Sequence, residues 1–109
     1  MAKVNAQIKN LLQDFKTDLQ HLYGKRLVTL LLYGSYARGQ ETETSDIDVL
    51  IILSDMQSPY FESRQMTDIK YKILDKYEQV ISVLPTTQSR YKKMEIPLYK
   101  NIKREGIKI

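Results

Sequence analysis

The sequence contains no cysteine and a single histidine, His21, among 109 residues. No disulfide can brace the fold, no thiolate can hold a metal or attack a substrate, and one imidazole alone cannot build a zinc site. Any metal bound here is held by oxygen. Glycine and proline are few, at four and three residues, and there is no internal repeat, low-complexity tract or linker. Long apolar runs are missing too, since none approaches the roughly 18 residues that a membrane span needs. The opening stretch, MAKVNAQIKNLLQDF, mixes charge into its apolar positions and does not look like a signal peptide. A cytoplasmic location is expected.

What is present is an ordinary folding composition, 42% hydrophobic and 28% charged, over a length that suits one domain spanning residues 1–109. The net charge of +4 is uneven, because the stretch from Arg90 onward holds seven Lys/Arg against two Glu. Such a basic end attracts phosphates or an acidic partner, or is simply a solvated helix face. Direct nucleic-acid binding is not expected. Eight tyrosines outnumber two phenylalanines; Tyr91 and Tyr99 suit stacking or an interface as well as covering a sheet edge.

Val4, Ile8, Leu11, Leu12, Phe15, Leu19 and Leu22 recur at three- and four-residue steps, which predicts a first helix stopped at Gly24. His21 falls near its C-terminal end, where a positive charge suits the helix dipole, and a structural role is expected for it. RLVTLLLY (26–33) and DIDVLIIL (46–53) read as strands covered on both faces. Residues 59–77 carry Phe61, Met66, Ile69, Ile73 and Tyr77 at helical spacing, predicting one long helix on the sheet. QVISVLPT (79–86) alternates like a strand stopped by Pro85, and PLYKNIKREGIKI predicts a short last helix from Pro97 with Gly106 as its cap. This order implies a small α+β (mixed α/β) domain, a sheet of three or more strands flanked by helices.

The stretch LLYGSYARGQETETSDIDVLIIL (31–53) carries the chemistry. Gly34 lets an anion approach the main chain, Ser35 adds a hydroxyl donor, and the amides opening a helical turn favour negative charge. A strand ending in Gly-Ser is thus a phosphate clamp or a plain strand-to-helix turn. Asp46 and Asp48, two residues apart, project to the same face of a strand while Ile47 faces the core. Two adjacent carboxylates repel one another, and a divalent cation such as magnesium relieves that repulsion. A strand cap beside a solvated acid is the blander reading, but the apolar run that follows makes an uncompensated charge expensive, and metal binding explains the pair better.

Gly34-Ser35, ten intervening residues and Asp46-Ile47-Asp48 together resemble the nucleotidyltransferase superfamily that includes DNA polymerase beta. YGSYARGQETETSDIDVLI is more narrowly similar to the minimal nucleotidyltransferase (MNT) domains, which are usually encoded beside a HEPN-domain protein in prokaryotes. The likeness is strong over residues 27–55 and rests on element order elsewhere. It implies that Gly34 and Ser35 hold nucleotide phosphates, that Asp46 and Asp48 are catalytic and bind two Mg2+ ions, and that Arg38 steadies a phosphate; a surface ion pair of Arg38 with Glu41 or Glu43 is an equal expectation.

The resemblance also implies ATP as substrate, a HEPN toxin ribonuclease as partner, AMP transfer to a tyrosine of that toxin, and hence an antitoxin. The superfamily takes a third carboxylate from a later strand, and here that strand, EQVISVLPT, has no internal acid. Alternation puts Ser82 or a neighbour at that position, with Glu78 just before the strand, which implies weak binding of the catalytic metal and slow or absent turnover. Two other functions follow: an inactive antitoxin that neutralises its partner by covering it, and nucleotidyl transfer to a small molecule, for which a helical domain would have to be borrowed.

Overall fold

A computed structural model describes residues 4–109 of the chain. Helix α1 (Ala6–Tyr23) begins where the Asn5 side chain accepts the Ile8 amide at 2.9 Å, and it leads through a 3-10 turn (Gly24–Arg26) into strand β1 (Leu27–Tyr33). Ile8, Leu11, Leu12, Phe15 and Leu19 are buried as their spacing predicts. At the ends of the stripe, Val4 packs into the core from ahead of the helix, Tyr23 is buried, and Leu22 is 39% exposed.

After β1 come a single turn, α2 (Ser35–Arg38), and strand β2 (Ile47–Leu53). The predicted long helix is two helices, α3 (Pro59–Gln65) and α4 (Thr67–Tyr77), broken at Met66. The cause is legible in the spacing: Phe61 to Met66 is a five-residue step, which throws the two side chains off a common stripe. Met66 is fully buried, whereas Phe61 is 38% exposed and the acid beside it, Glu62, is only 2% exposed. Glu62 is satisfied there by the Tyr23 hydroxyl at 3.0 Å and the Gln57 amide at 3.2 Å. Burial and that hydrogen bond push the Tyr23 hydroxyl pKa upward.

Strand β3 (Ile81–Thr87) runs through Pro85 instead of stopping at it. The four-stranded sheet has the order β3-β2-β1-β4, so β3 is an edge strand and proline costs it no ladder hydrogen bond. Helix α5 (Gln88–Lys92), absent from the sequence reading, is capped by the Thr87 hydroxyl. Helix α6 (Pro97–Glu105) ends as predicted at Gly106, whose amide reaches Ile102 O at 2.6 Å, and a two-residue strand β4 (Ile107–Lys108) then pairs with β1.

β1 and β2 are antiparallel, whereas β2 and β3 are parallel, joined by the α3–α4 crossover that a parallel pair requires. One face of the sheet (Leu30, Leu32, Val49, Ile51, Leu53) packs with α1 and Ile73 of α4. The other (Leu50, Ile52, with Leu31, Tyr33 and Leu84) packs with α6 through Tyr99 and Ile102. Each such buried side chain contributes roughly 1.5–3 kcal/mol of hydrophobic stabilisation. Tyr91 and Tyr99 meet edge to face at 5.6 Å and cover this second face, not a sheet edge.

Candidate active site

The end of β1 and the start of β2 lie together because the two strands pair antiparallel up to Tyr33 opposite Asp48. Gly34, the next residue, has φ 76° and ψ −155°, a conformation essentially confined to glycine. It also faces Asp48 closely: a Cβ built on Gly34 would collide with the Asp48 carboxylate. Glycine is required here twice over, for its backbone and for the space it leaves.

Ser35 opens α2. The Ala37 and Arg38 amides are both spent on the Gly34 carbonyl, at 3.1 and 3.2 Å, so the Ser35 and Tyr36 amides precede the first intrahelical bond. This turn therefore presents donors next to the Asp48 carboxylate.

Asp48 is half-buried within β2, and Asp46 is exposed just before the strand, with Ile47 fully buried between them. Burial, then the Asp46 charge, raise the Asp48 pKa above its ordinary 3.8, while the Arg38 charge opposes them. The Asp46 and Arg38 charges thus act on Asp48 with opposite sign. Tyr33, on the other strand of the pair, is raised by burial and then by Asp48.

Arg38 does not pair with Glu41 or Glu43. Its Nη1 donates to Glu105 Oε2 of α6 at 3.3 Å and its Nε to Gln40 at 3.1 Å. A cleft of about 230 Å³ is lined by Tyr33, Gly34 and Arg38 on one side and by Asn101, Arg104 and Glu105 of α6 on the other. The basic end of the chain stands out in the sequence, but nothing in the sequence gives α6 a part in the site. Its signal was the amphipathic pattern from Pro97, which could place the helix on the sheet but not at this end of it.

Ser82 stands beside Asp48 in the parallel register of β2 and β3. Glu78 is the exposed C-cap of α4, at φ 56°. Among the described residues no group of three or more His, Cys, Asp or Glu is arranged to hold a metal. Two carboxylates still fit magnesium, which typically takes one or two protein acids and completes its shell with water and phosphate oxygens. The Asp48 carboxylate, raised in pKa first by burial and then by the Asp46 charge, lies directly against the bare Gly34 backbone, so an oxygen ligand for a cation and the glycine turn share one spot. His21, by contrast, is exposed in the last turn of α1, and no helix among the described residues is long and apolar enough to cross a membrane.

Known proteins resemble this chain in sequence and in fold. A protein of Methanocaldococcus jannaschii named "Putative protein adenylyltransferase" is 34% identical over 96 residues, 87% of this chain and 90% of the relative. A second of the same name and organism is 34% identical over 76 residues, covering 70% of this chain and 76% of the relative. In fold, the chain is similar to a structure described as "Crystal structure of the toxin-antitoxin with AMP-PNP", with TM-score 0.61, 16% identity and coverage of 87% of this chain and 69% of that one. Residues 9–109 match the family model of the nucleotidyltransferase domain. The chain whose four-stranded mixed sheet sets a glycine-serine turn against a D-x-D strand thus belongs to the nucleotidyltransferase domain family.

Proposed function

We propose that this domain is a magnesium-dependent adenylyltransferase that moves AMP from ATP to a tyrosine of a helical HEPN-type toxin, and so acts as an antitoxin. The observation that supports the reading is the close approach of Gly34 and Asp48, which sets bare backbone beside one carboxylate, with the second, Asp46, two residues ahead of it in the chain. Gly34 and Ser35 bind the β- and γ-phosphates through main-chain and hydroxyl donors, and Arg38 adds a cation. Asp46 and Asp48 hold magnesium, which when bound neutralises phosphate charge and lowers the pKa of the acceptor hydroxyl. The acceptor oxygen bonds to the α-phosphorus as the bond to pyrophosphate breaks, and its proton leaves to solvent. No histidine base is needed, because nucleotidyl transfer depends mainly on positioning and charge. The relatives named as protein adenylyltransferases and the AMP-PNP-containing toxin-antitoxin neighbour favour a protein acceptor and an adenine nucleotide.

The test is to incubate the protein with ATP, magnesium and the product of the adjacent gene, then weigh both proteins. A partner heavier by one AMP, and silenced, is expected; an unmodified partner counts against the enzyme.

Ser82, in register with Asp48 on the strand from which the resemblance draws a third acid, supports a second reading, a weak or inactive enzyme that neutralises its toxin by binding alone. If Asp46→Asn and Asp48→Asn leave neutralisation intact, this second reading stands and the first fails.

A further inference from the structure

The end of α6 carries a charge network beyond the groups assigned so far. Glu105 accepts from Arg38 through Oε2 at 3.3 Å and from Arg104 Nη2 through Oε1 at 3.5 Å. The same Arg104 nitrogen reaches Asn101 Oδ1 at 3.3 Å. One carboxylate therefore joins two guanidiniums, one from the turn that follows Gly34 and one from the helix across the cleft.

Two guanidiniums around one carboxylate offer donors that a phosphate also satisfies, and phosphate brings more charge and more acceptor atoms. The Arg38–Glu105 contact is open to exchange, since the side chains are 43% and 30% exposed and such pairs are weak in water. Its position suits that exchange. Helix α6 packs on the sheet face of Leu50 and Ile52, the face that Asp48 shares by alternation along β2.

We propose that Glu105 is a stand-in anion for the phosphate site: it keeps Arg38 and Arg104 beside Gly34 until a nucleoside triphosphate arrives, then yields both to the phosphate oxygens. This rests on the nucleotide reading of the Gly34–Asp48 site and adds α6 to it. Arg104 becomes a phosphate contact, Asn101 a positioning residue for Arg104, and Glu105 a determinant of affinity whose charge opposes the ligand. Glu105 neutralises two cations that would otherwise face the cleft unpaired, at the cost of competing with the ligand for them.

Titration calorimetry of the full chain with a non-hydrolysable ATP analogue and magnesium tests this. Glu105→Gln keeps a neutral acceptor for the guanidiniums but removes the opposing charge, and is expected to bind about two- to fivefold tighter. Arg104→Ala is expected to bind about two- to fivefold weaker. Glu95→Gln, the same charge change at the separate Arg90–Glu95 pair, serves as control and should match the parent. A merely structural Glu105 gives the opposite sign, because a loosened fold binds more weakly. If Glu105→Gln binds no tighter than the parent, or no tighter than the control, the inference falls while the nucleotide site stands. If neither parent nor variants bind the analogue at millimolar concentration, both fall.

Discussion

Ser82 of β3 is the direct parallel partner of Asp48 of β2, and Tyr33 of β1 is the antiparallel partner on the other side, so one row across the sheet reads tyrosine, aspartate, serine. The row places a hydroxyl where a carboxylate would be the stronger ligand for a hard cation. On the proposed magnesium reading, Ser82→Asp should raise turnover about tenfold, the equivalent of about 1.4 kcal/mol, by adding a charged oxygen ligand. In metal-free protein the added like charge should lower the melting temperature by about 2–5 °C, and magnesium should restore it. Melting curves with and without magnesium, beside an AMP-transfer assay, check both halves.

Gly34→Ala should be among the costliest small changes in the chain, about 2–4 kcal/mol, since it combines a glycine-only backbone with a collision against Asp48. Asp48→Ala in the same chain removes the collision and leaves the backbone strain. The double variant should therefore be less destabilised than the two singles summed, by about 1 kcal/mol. Urea unfolding of the four proteins measures that coupling, and strict additivity would contradict the contact.

The pH dependence follows from Asp48, whose folded pKa lies above its ordinary 3.8 through burial and then the Asp46 charge. The folded chain binds that proton more tightly than the unfolded chain. Its contribution is therefore complete below the unfolded value and is lost as pH rises through the folded one. Asp48→Asn removes this loss. In the absence of magnesium the variant should melt about 2–5 °C above the parent at neutral pH and show no advantage below about pH 3.8. The parent alone should be stabilised by magnesium.

The buried Tyr99 hydroxyl donates to Thr86 Oγ1 at 2.8 Å and ties α6 to β3. Thr86→Val strands that hydroxyl and should cost about 1–3 kcal/mol, whereas adding Tyr99→Phe should recover most of it, because no buried donor is then left unpaired. Denaturant midpoints of both single variants and the double check this.

Local features of the sequence were readable and long-range ones were not. Strands β1 and β2 announced themselves as apolar runs because both are interior and covered on two faces. The Gly34-Ser35 and Asp46/Asp48 pairs stood out because their chemistry depends on near neighbours. Glu62 looked like any helix-surface acid, since its partner Tyr23 lies 39 residues away. The same holds for Glu105, which meets Arg38 across 67 residues. Pro85 was read as a stop because its tolerance depends on β3 being an edge strand, a property of strand order that no single stretch encodes.

That proline has a bearing on how the sheet ends. The outer margin of β3 has no strand beside it, and such a margin is a template onto which another chain can add. Pro85 lacks an amide proton, so a rung is missing midway along the margin, and a strand laid there could not zip past it. The sheet can thus end at β3 with an interrupted row of backbone donors along its outer margin.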